Sequence, residues 1–146
     1  MNECIAVNIQ DMLKAIGEEE LERLLSDFSS PLNEEVEDFV RSKSIEFARK
    51  KLSITYLVIR KTDSREIALM GIFTLAHKAV EITNTNISST ARRKLSRYAK
   101  LEEDTDKYNI SAFLIAQFGK NSAVFDDWRI SGNELMDLTF EILKHV

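Results

Sequence analysis

Residues that break or cross-link a chain are scarce in this sequence, whose 146 residues include one proline, four glycines and one cysteine. So few prolines and glycines argue against long disordered linkers. The single cysteine, Cys4, excludes an internal disulfide bond. With only two histidines in the chain, it also argues against a metal site or a reactive thiol. We therefore predict no metal centre.

Long apolar runs are also missing. No stretch approaches the length of a membrane-spanning helix, and the acidic N-terminus lacks the basic-then-apolar pattern of a signal peptide. These absences predict a cytoplasmic protein that does not contact a membrane. The net charge of −4 and the pI near 5.3 argue against general nucleic-acid binding, because proteins with that function usually carry a basic balance.

The composition that is present is that of a folded globular protein. Hydrophobic residues make up 44% of the chain and charged residues 30%. The length suffices for one domain with a buried core, so we predict a single domain over residues 1–146.

Helical periodicity covers the first third of the chain. The segment from Asn8 to Phe28 predicts one or two short helices with a break near Gly17. Asn33, followed by two glutamates, is a typical helix start, and the apolar spacing after it predicts one long amphipathic helix as far as Leu52.

Strand patterns follow. Ile54–Ile59 and Ile67–Ala76 flank the turn Thr62-Asp-Ser-Arg and predict a hairpin, which Val80–Ile82 prolongs beyond an irregular His77-Lys78. Gly71, inside the second strand, indicates a bulge or the close approach of another backbone.

A helix over residues 88–99 and an acidic connection from Leu101 to Lys107 come next. A strand over residues 110–121 and an apolar helix that begins near Ser131 complete the chain. The predicted fold class is α/β or α+β, with a mixed, mostly antiparallel sheet flanked by helices.

The start of the last helix is the most informative feature. Ser131, Gly132 and Asn133 lie just beyond the end of the predicted strand. A helix start carries unpaired backbone N–H groups and the positive end of the helix dipole, which suit the phosphates of a nucleotide-like cofactor. The same pattern occurs in many proteins that bind nothing there.

Several segments together resemble a known family. Phe28–Val40, Thr55-Tyr-Leu-Val58 and Met70–Ala76 are similar to the opening half of the GNAT N-acetyltransferases, nearest to their toxin-like branch. Phe113–Asn121 resembles the fourth strand of that family, and Trp128–Leu135 its pyrophosphate loop and following helix. The resemblance covers residues 28–146 and leaves residues 1–28 as a helical N-terminal extension.

Two departures accompany the resemblance. Of the family's loop pattern only Gly132 survives within Asp127–Gly132, and Ile130 stands where a glycine would keep the backbone open. Members of the family continue with two more strands and often a tyrosine that protonates the leaving thiolate. This chain ends at Val146 within an apolar helical pattern, so we expect a C-terminally truncated or degenerate member.

The resemblance implies a cofactor and its binding residues. Acetyl-CoA would lie in a V-shaped gap at the strand end, with its pantetheine arm bonded to the backbone of Phe118, Gly119 and Lys120. The backbone from Arg129 to Asn133 would hold the pyrophosphate, with Arg129 or Lys120 adding charge; the residues concerned are Arg129, Ile130, Ser131, Gly132 and Asn133. The implied activity is acetyl transfer to an amine-bearing acceptor.

No catalytic residue is predicted. Glu81 and Glu134 are candidate bases, but both also suit a solvated surface, and His77 suits a partly buried structural role. Tyr98 and Tyr108 could donate a proton, although neither matches the tyrosine position of the family.

Two alternatives stay open. The first is a noncatalytic GNAT-like interaction module, or an inactive fragment, whose apolar cleft another copy or a partner would fill. The second is a toxin that acetylates aminoacyl-tRNA. It is suggested by a basic run in which spacing places Arg93, Arg97 and Lys100 on one side of a helix, although the acidic run Glu102–Asp106 follows directly; the basic residues are Arg92, Arg93, Lys94, Arg97 and Lys100.

Overall fold

A computed structural model describes residues 3–146 of the chain, except the side chain of Asp126. These described residues form six α-helices and five β-strands. The helices are α1 (Ile9–Ile16), α2 (Glu18–Ser26), α3 (Glu34–Ser42), α4 (Ser44–Arg49), α5 (Ser89–Leu95) and α6 (Gly132–Leu143). The strands are β1 (Ile5–Asn8), β2 (Ile54–Lys61), β3 (Ile67–Thr83), β4 (Leu101–Glu102) and β5 (Lys107–Lys120). The fold is therefore α+β, as predicted.

The strands form one sheet in the order β1-β2-β3-β5-β4. The pairs β1–β2, β2–β3 and β4–β5 are antiparallel. The predicted hairpin is confirmed, since Ile54 of β2 pairs with Leu75 and Lys61 pairs with Ile67. Within residues 3–146, no helix is long and apolar enough to cross a membrane.

Residue contacts divide the chain into two compact units. One unit contains the described residues up to Leu75 together with Ile115–Val146, and the other is Ala76–Leu114. Whether the chain acts as one domain stays a prediction.

Strand β2 is buried on both faces, and successive residues enter different cores. Leu57 and Ile59 belong to the N-terminal core, which lies against α1–α4, whereas Tyr56 and Val58 belong to the α6 core. The N-terminal core contains Ile9, Met12, Leu21, Leu25, Phe28, Val36, Phe39, Val40, Ala48, Leu57, Ile59, Leu69 and Ile72. The α6 core contains Tyr56, Val58, Met70, Phe73, Leu75, Ile130 and Leu135.

The predicted anomaly at Gly71 has two physical sources. The β2–β3 register shifts between Val58 and Ile59, which pair with Gly71 and Leu69, so Met70 is an extra residue in β3. A Cβ added at Gly71 would also lie 3.0 Å from the carbonyl oxygen of Gly119. Both the bulge and the close backbone approach are therefore present.

The predicted long helix from Asn33 to Leu52 is wrong, because two helices, α3 and α4, occupy this segment. The chain leaves helical geometry at Lys43 (φ −126°), and the buried Ser44 hydroxyl donates a hydrogen bond of 2.8 Å to the carbonyl of Val40. After the break, the ring of Phe47 meets that of Phe39 edge-on at 5.3 Å. The change of direction lets the apolar faces of both helices reach the N-terminal core.

Three further boundaries differ from expectation. Strand β1 lies within the segment expected to be a helical extension, where it pairs with β2. Strand β3 continues without interruption through His77 and Lys78. Helix α5 ends at Leu95 rather than near Ala99, because none of its side chains is buried and Ser96 bonds back to the carbonyl of Arg93.

We expect the substitution Gly71→Ala to lower the free energy of unfolding by about 1–3 kcal/mol, because the methyl group meets backbone rather than a movable side chain. Urea denaturation measures the change. Gly132→Ala is the matched control, since a Cβ there meets no atom within 4 Å and alanine favours the helix. Equal stability of the two variants would contradict the close approach.

Candidate functional site

The candidate site is built around the end of β5. Gly119 faces the N-terminal core there, and a Cβ at this position would lie 3.1 Å from Val36 Cγ1 and 3.5 Å from Phe28 Cζ. Phe118 packs against the α6 core on the other face, and Lys120 is exposed. The glycine thus lets the strand end lie close to α3.

At this strand end, some backbone groups point towards β3 and others point to the opposite edge of β5. The amide of Asn121 donates to the carbonyl of Met70 at 2.9 Å, towards β3. Because backbone groups alternate between the two edges of a strand, those of Gly119 also point towards β3, and those of Phe118 and Lys120 point to the outer edge. Among the described residues, β4 is the strand beyond this edge, and it pairs only with Lys107 and Tyr108. Phe118 and Lys120 therefore present strand-type donors and acceptors outwards.

Asn121 holds the strand end in place through its backbone amide and both ends of its side-chain amide. Its side-chain amide donates to the carbonyl of Leu69 at 2.8 Å. Its side-chain oxygen accepts from the amides of Ser29 at 2.9 Å and Ala123 at 3.1 Å. The residue is 4% exposed, so these bonds form away from water. One side chain therefore joins β3, β5, the turn after α2 and the loop before α6.

The loop over residues 121–131 is held by further bonds to the backbone. The amide of Ser122 donates to the carbonyl of Ser29 at 2.8 Å. The guanidinium of Arg129 donates to the carbonyls of Ser122 at 2.7 Å and Val124 at 3.1 Å. Arg60 of β2 donates to the carbonyl of Trp128 at 3.2 Å. Arg129 thus closes the loop on itself and places its positive charge just before α6.

The position of Ile130 in the motif suggests that its side chain would block access to the loop backbone, but it does not. Its side chain is 2% exposed and belongs to the α6 core, where its Cδ1 lies 3.5 Å from the Cβ position of Gly71. Because the side chain points to the sheet, it leaves the outer side of the backbone open. The missing glycine is therefore compatible with a backbone-lined site.

The start of α6 is a capping box. The Ser131 hydroxyl accepts from the amide of Glu134 at 3.1 Å, and the Glu134 carboxylate accepts from the amide of Ser131 at 3.2 Å. Within the described part of the chain, the amides of Gly132 and Asn133 have no hydrogen-bond acceptor. A Cβ at Gly132 would meet no atom within 4 Å. Two adjacent N–H groups at the positive end of the helix dipole can therefore receive an anion from open space.

The candidate acids and bases take structural or surface positions. Glu134 caps α6, and exposed Glu81 lies 3.4 Å from the ammonium of Lys107. His77 is exposed rather than partly buried, and its ring lies 4.4 Å from that of Phe113. Tyr98 is exposed and Tyr108 is buried.

Tyr56 is a third tyrosine, and it lies within the α6 core. Burial raises the pKa of its phenol, and a hydrogen bond to Asn8 acts in the opposite direction. Its ring stacks on Phe73 at 5.1 Å in the α6 core. The phenol therefore stays protonated at neutral pH as part of the packing.

The basic run does not form the predicted helical stripe. Arg97 and Lys100 lie beyond the end of α5, so they do not share a helix face with Arg93. Arg92 bonds to the carbonyl of Asn84 at 3.2 Å. In the unit Ala76–Leu114, the structure shows no ion pair between this run and the acidic residues after it. A stripe for nucleic-acid phosphates therefore lacks support.

Sequence reasoning missed Asn121, Arg60 and Ser29, which position the loop. Asn121 is flanked by Lys120 and Ser122, so its neighbours suggest a solvated turn. The available signal was its place at the end of an apolar strand, where a polar side chain often bonds the neighbouring backbone. No pattern in the sequence indicates its partners, which lie 52 and 92 positions away.

Comparison with known proteins adds no family assignment. No protein-family model matches the sequence, and no curated protein matches it.

We expect Asn121→Asp to lower the free energy of unfolding by at least about 1–3 kcal/mol, because a carboxylate oxygen would face the carbonyl of Leu69 without a proton to donate. Chemical denaturation at neutral pH checks the loss. Asn133→Asp makes the same chemical change on an exposed residue at a helix start, where the dipole favours the new charge by about 0.3–1 kcal/mol. The two variants should shift stability in opposite directions, and a neutral Asn121→Asp would refute the bonding described.

Proposed function

We propose that this protein is an acetyl-CoA-dependent N-acetyltransferase of the GNAT type that acts on an amine-bearing acceptor. The observation that carries the proposal is the pair of amides at Gly132 and Asn133, unpartnered among the described residues, at a helix start that is open at Gly132 and follows the loop after β5. A pyrophosphate placed there would receive two N–H donors and the helix dipole. The resemblance of residues 28–146 to the family supplies the identity of the ligand.

The outer edge of β5 supports the same assignment. The backbone groups of Phe118 and Lys120 point away from β3, so they could bond the amides of a pantetheine arm as an added strand would. Gly119 has a different task, because its backbone groups face β3 and its missing side chain makes room for Val36. The three residues therefore divide between cofactor contact and strand placement.

Two cations lie in the segment between the strand end and the helix start. Lys120 is exposed at the strand end, and Arg129 is fixed by two loop carbonyls just before the helix. A guanidinium already oriented by the protein loses little freedom when an anion arrives. These cations would add to the attraction exerted by the amides.

The chain's own contribution to the reaction is placement. Bound acetyl-CoA would supply a thioester carbonyl as the electrophile, and the amine of the acceptor is the nucleophile. Phe118 and Lys120 would hold the arm, and the helix start would hold the phosphates, so that the thioester keeps one position. No described residue is assigned as the base that takes the proton from the acceptor amine.

Removing one N–H group without changing the helix tests the proposal. Gly132 is the first residue of α6, a position where proline is favoured, and Ser131 before it has the extended geometry (φ −79°, ψ 161°) that proline requires. We expect Gly132→Pro to weaken acetyl-CoA binding about 10- to 100-fold, because a hydrogen bond to a charged group contributes about 1.5–3 kcal/mol. Isothermal titration calorimetry and the acetyl-CoA-induced thermal shift measure the loss.

Gly132→Ala is the matched control, since it retains the N–H and should bind acetyl-CoA as the unsubstituted protein does. Equal binding by the proline and alanine variants would contradict the role of this amide. The noncatalytic interaction module predicts no thermal shift with millimolar acetyl-CoA for any of the three proteins. That result would reject the enzyme in favour of the alternative.

A further inference from the structure

A second candidate binding site lies in a groove that none of the proposed cofactor residues lines. The groove has a volume of about 310 Å³ and opens between α2, the β2–β3 hairpin and the loop before α6. This volume is at the lower end of the range for small-molecule pockets, about 300–1,000 Å³. The residues that line it are Leu24, Asp27, Thr62, Ile67, Ala68, Leu69, Asn121, Ala123, Val124, Phe125 and Trp128.

The walls of the groove are mainly apolar, and two aromatic rings stand at the loop side. Phe125 is 84% exposed, although phenylalanine is among the residues most often buried in folded proteins. Trp128 is partly buried and packs against the α6 core. An exposed aromatic beside an apolar concavity is typical of a surface that covers a ligand.

The groove lining contains one charged side chain, Asp27, together with the polar groups of Thr62, Asn121 and the Trp128 indole. Asn121 uses its amide and its oxygen in bonds to backbone. The hydroxyl of Thr62 bonds to Ser64 at 2.9 Å and to the amide of Glu66 at 3.1 Å. The carboxylate of Asp27, in contrast, has no hydrogen-bond or ion-pair partner among residues 3–146.

The position of Asp27 leaves its charge uncompensated. The residue caps the C-terminus of α2, where the carbonyl end of the helix dipole already concentrates negative charge. The carboxylate and the carbonyl end of the helix would both attract a cation that comes close. Both features select a positively charged ligand group at this edge of the groove.

A neighbouring depression of about 380 Å³ shares Leu24, Asp27 and Ile67 with the groove. Its other charged residues are Glu20, Arg23, Arg65 and Glu66. Arg23 forms an ion pair with Glu20 at 2.9 Å. The formal charges of Arg65 and Glu66 are opposite and sum to zero. The net formal charge of the depression is therefore negative and equals that of Asp27.

We infer that this groove binds a hydrophobic amine, with the alkyl or aryl part against Leu24, Leu69 and Val124 and the ammonium beside Asp27. Apolar burial supplies affinity, and the unpaired carboxylate supplies the preference for a cation over a neutral or anionic group of the same shape. The inference is separate from acetyl transfer, because neither the groove nor its ligand involves the amides of Gly132 and Asn133.

Hexylamine, 1-hexanol and hexanoate are suitable probes because they share one chain and differ in head-group charge. Trp128 is the single tryptophan, so its fluorescence reports on the groove directly. Amide chemical shifts of Ala123–Phe125 provide a second readout. We expect saturable binding of hexylamine that is about tenfold or more tighter than that of hexanol, and weaker binding still of hexanoate.

Two variants and one control distinguish the effect of the Asp27 charge from the effect of the groove's shape. Asp27→Asn should lower hexylamine affinity to that of hexanol, whereas Asp104→Asn, the same change on an exposed residue outside the groove, should leave the preference intact. Ala123→Leu fills the groove without removing the backbone bond to Asn121, so it should weaken both probes.

Three results would overturn the inference. One is the lack of saturable binding by either readout at millimolar hexylamine. Another is equal affinity of the unsubstituted protein for hexylamine and hexanol. The third is an amine preference that survives Asp27→Asn. None of the titrations contains acetyl-CoA, so failure here is distinct from failure of the proposed acetyltransferase.

Discussion

The hydrogen bonds of the Asn121 side chain are the interaction on which the end of β5 and the loop after it depend. The side chain joins two strands, the turn after α2 and the first residues of the loop through bonds of 2.8–3.1 Å that are shielded from water. A buried amide with all partners in place fixes orientation as well as distance, because each unmade bond would cost desolvation energy. The outward backbone groups of β5 and the start of α6 both take their positions from this anchor.

The same loop contributes to two surfaces with opposite electrostatic preference. After Arg129, the backbone presents N–H groups that attract anions. Before it, the loop carries Ala123, Val124 and Phe125 along an apolar groove that ends at an acidic side chain. One short loop therefore carries both surfaces.

The elements that depend on local pattern were predictable. The β2–β3 hairpin, the turn within it and the start of α6 near Ser131 each follow from a few adjacent residues, and the structure confirms them. The bulge at Gly71 was also indicated, because glycine within an apolar strand has few other uses. Such features need no knowledge of distant segments.

What the sequence could not predict depends on contacts between distant segments. The break at Lys43 follows from how two helical faces meet one core, which helical periodicity alone does not encode. Strand β1 is too short for a pattern and exists because β2 offers it an edge. At the candidate site, Ile130 turns inward to pack beside Gly71 of a strand that is distant in the sequence.

The extra residue in β3 has a consequence for how this gene can vary. Met70 and Gly71 both face α6. Between the bulge and the β2–β3 turn, the alternation of side chains between the two cores is therefore shifted by one residue. Loss of the Met70 codon would straighten the strand and leave Leu69 in its core, but it would remove a fully buried side chain from the α6 core. Loss of one codon in the turn at Thr62–Glu66 would leave that alternation unchanged. Natural length variation should therefore concentrate in the turn and avoid the middle of the strand.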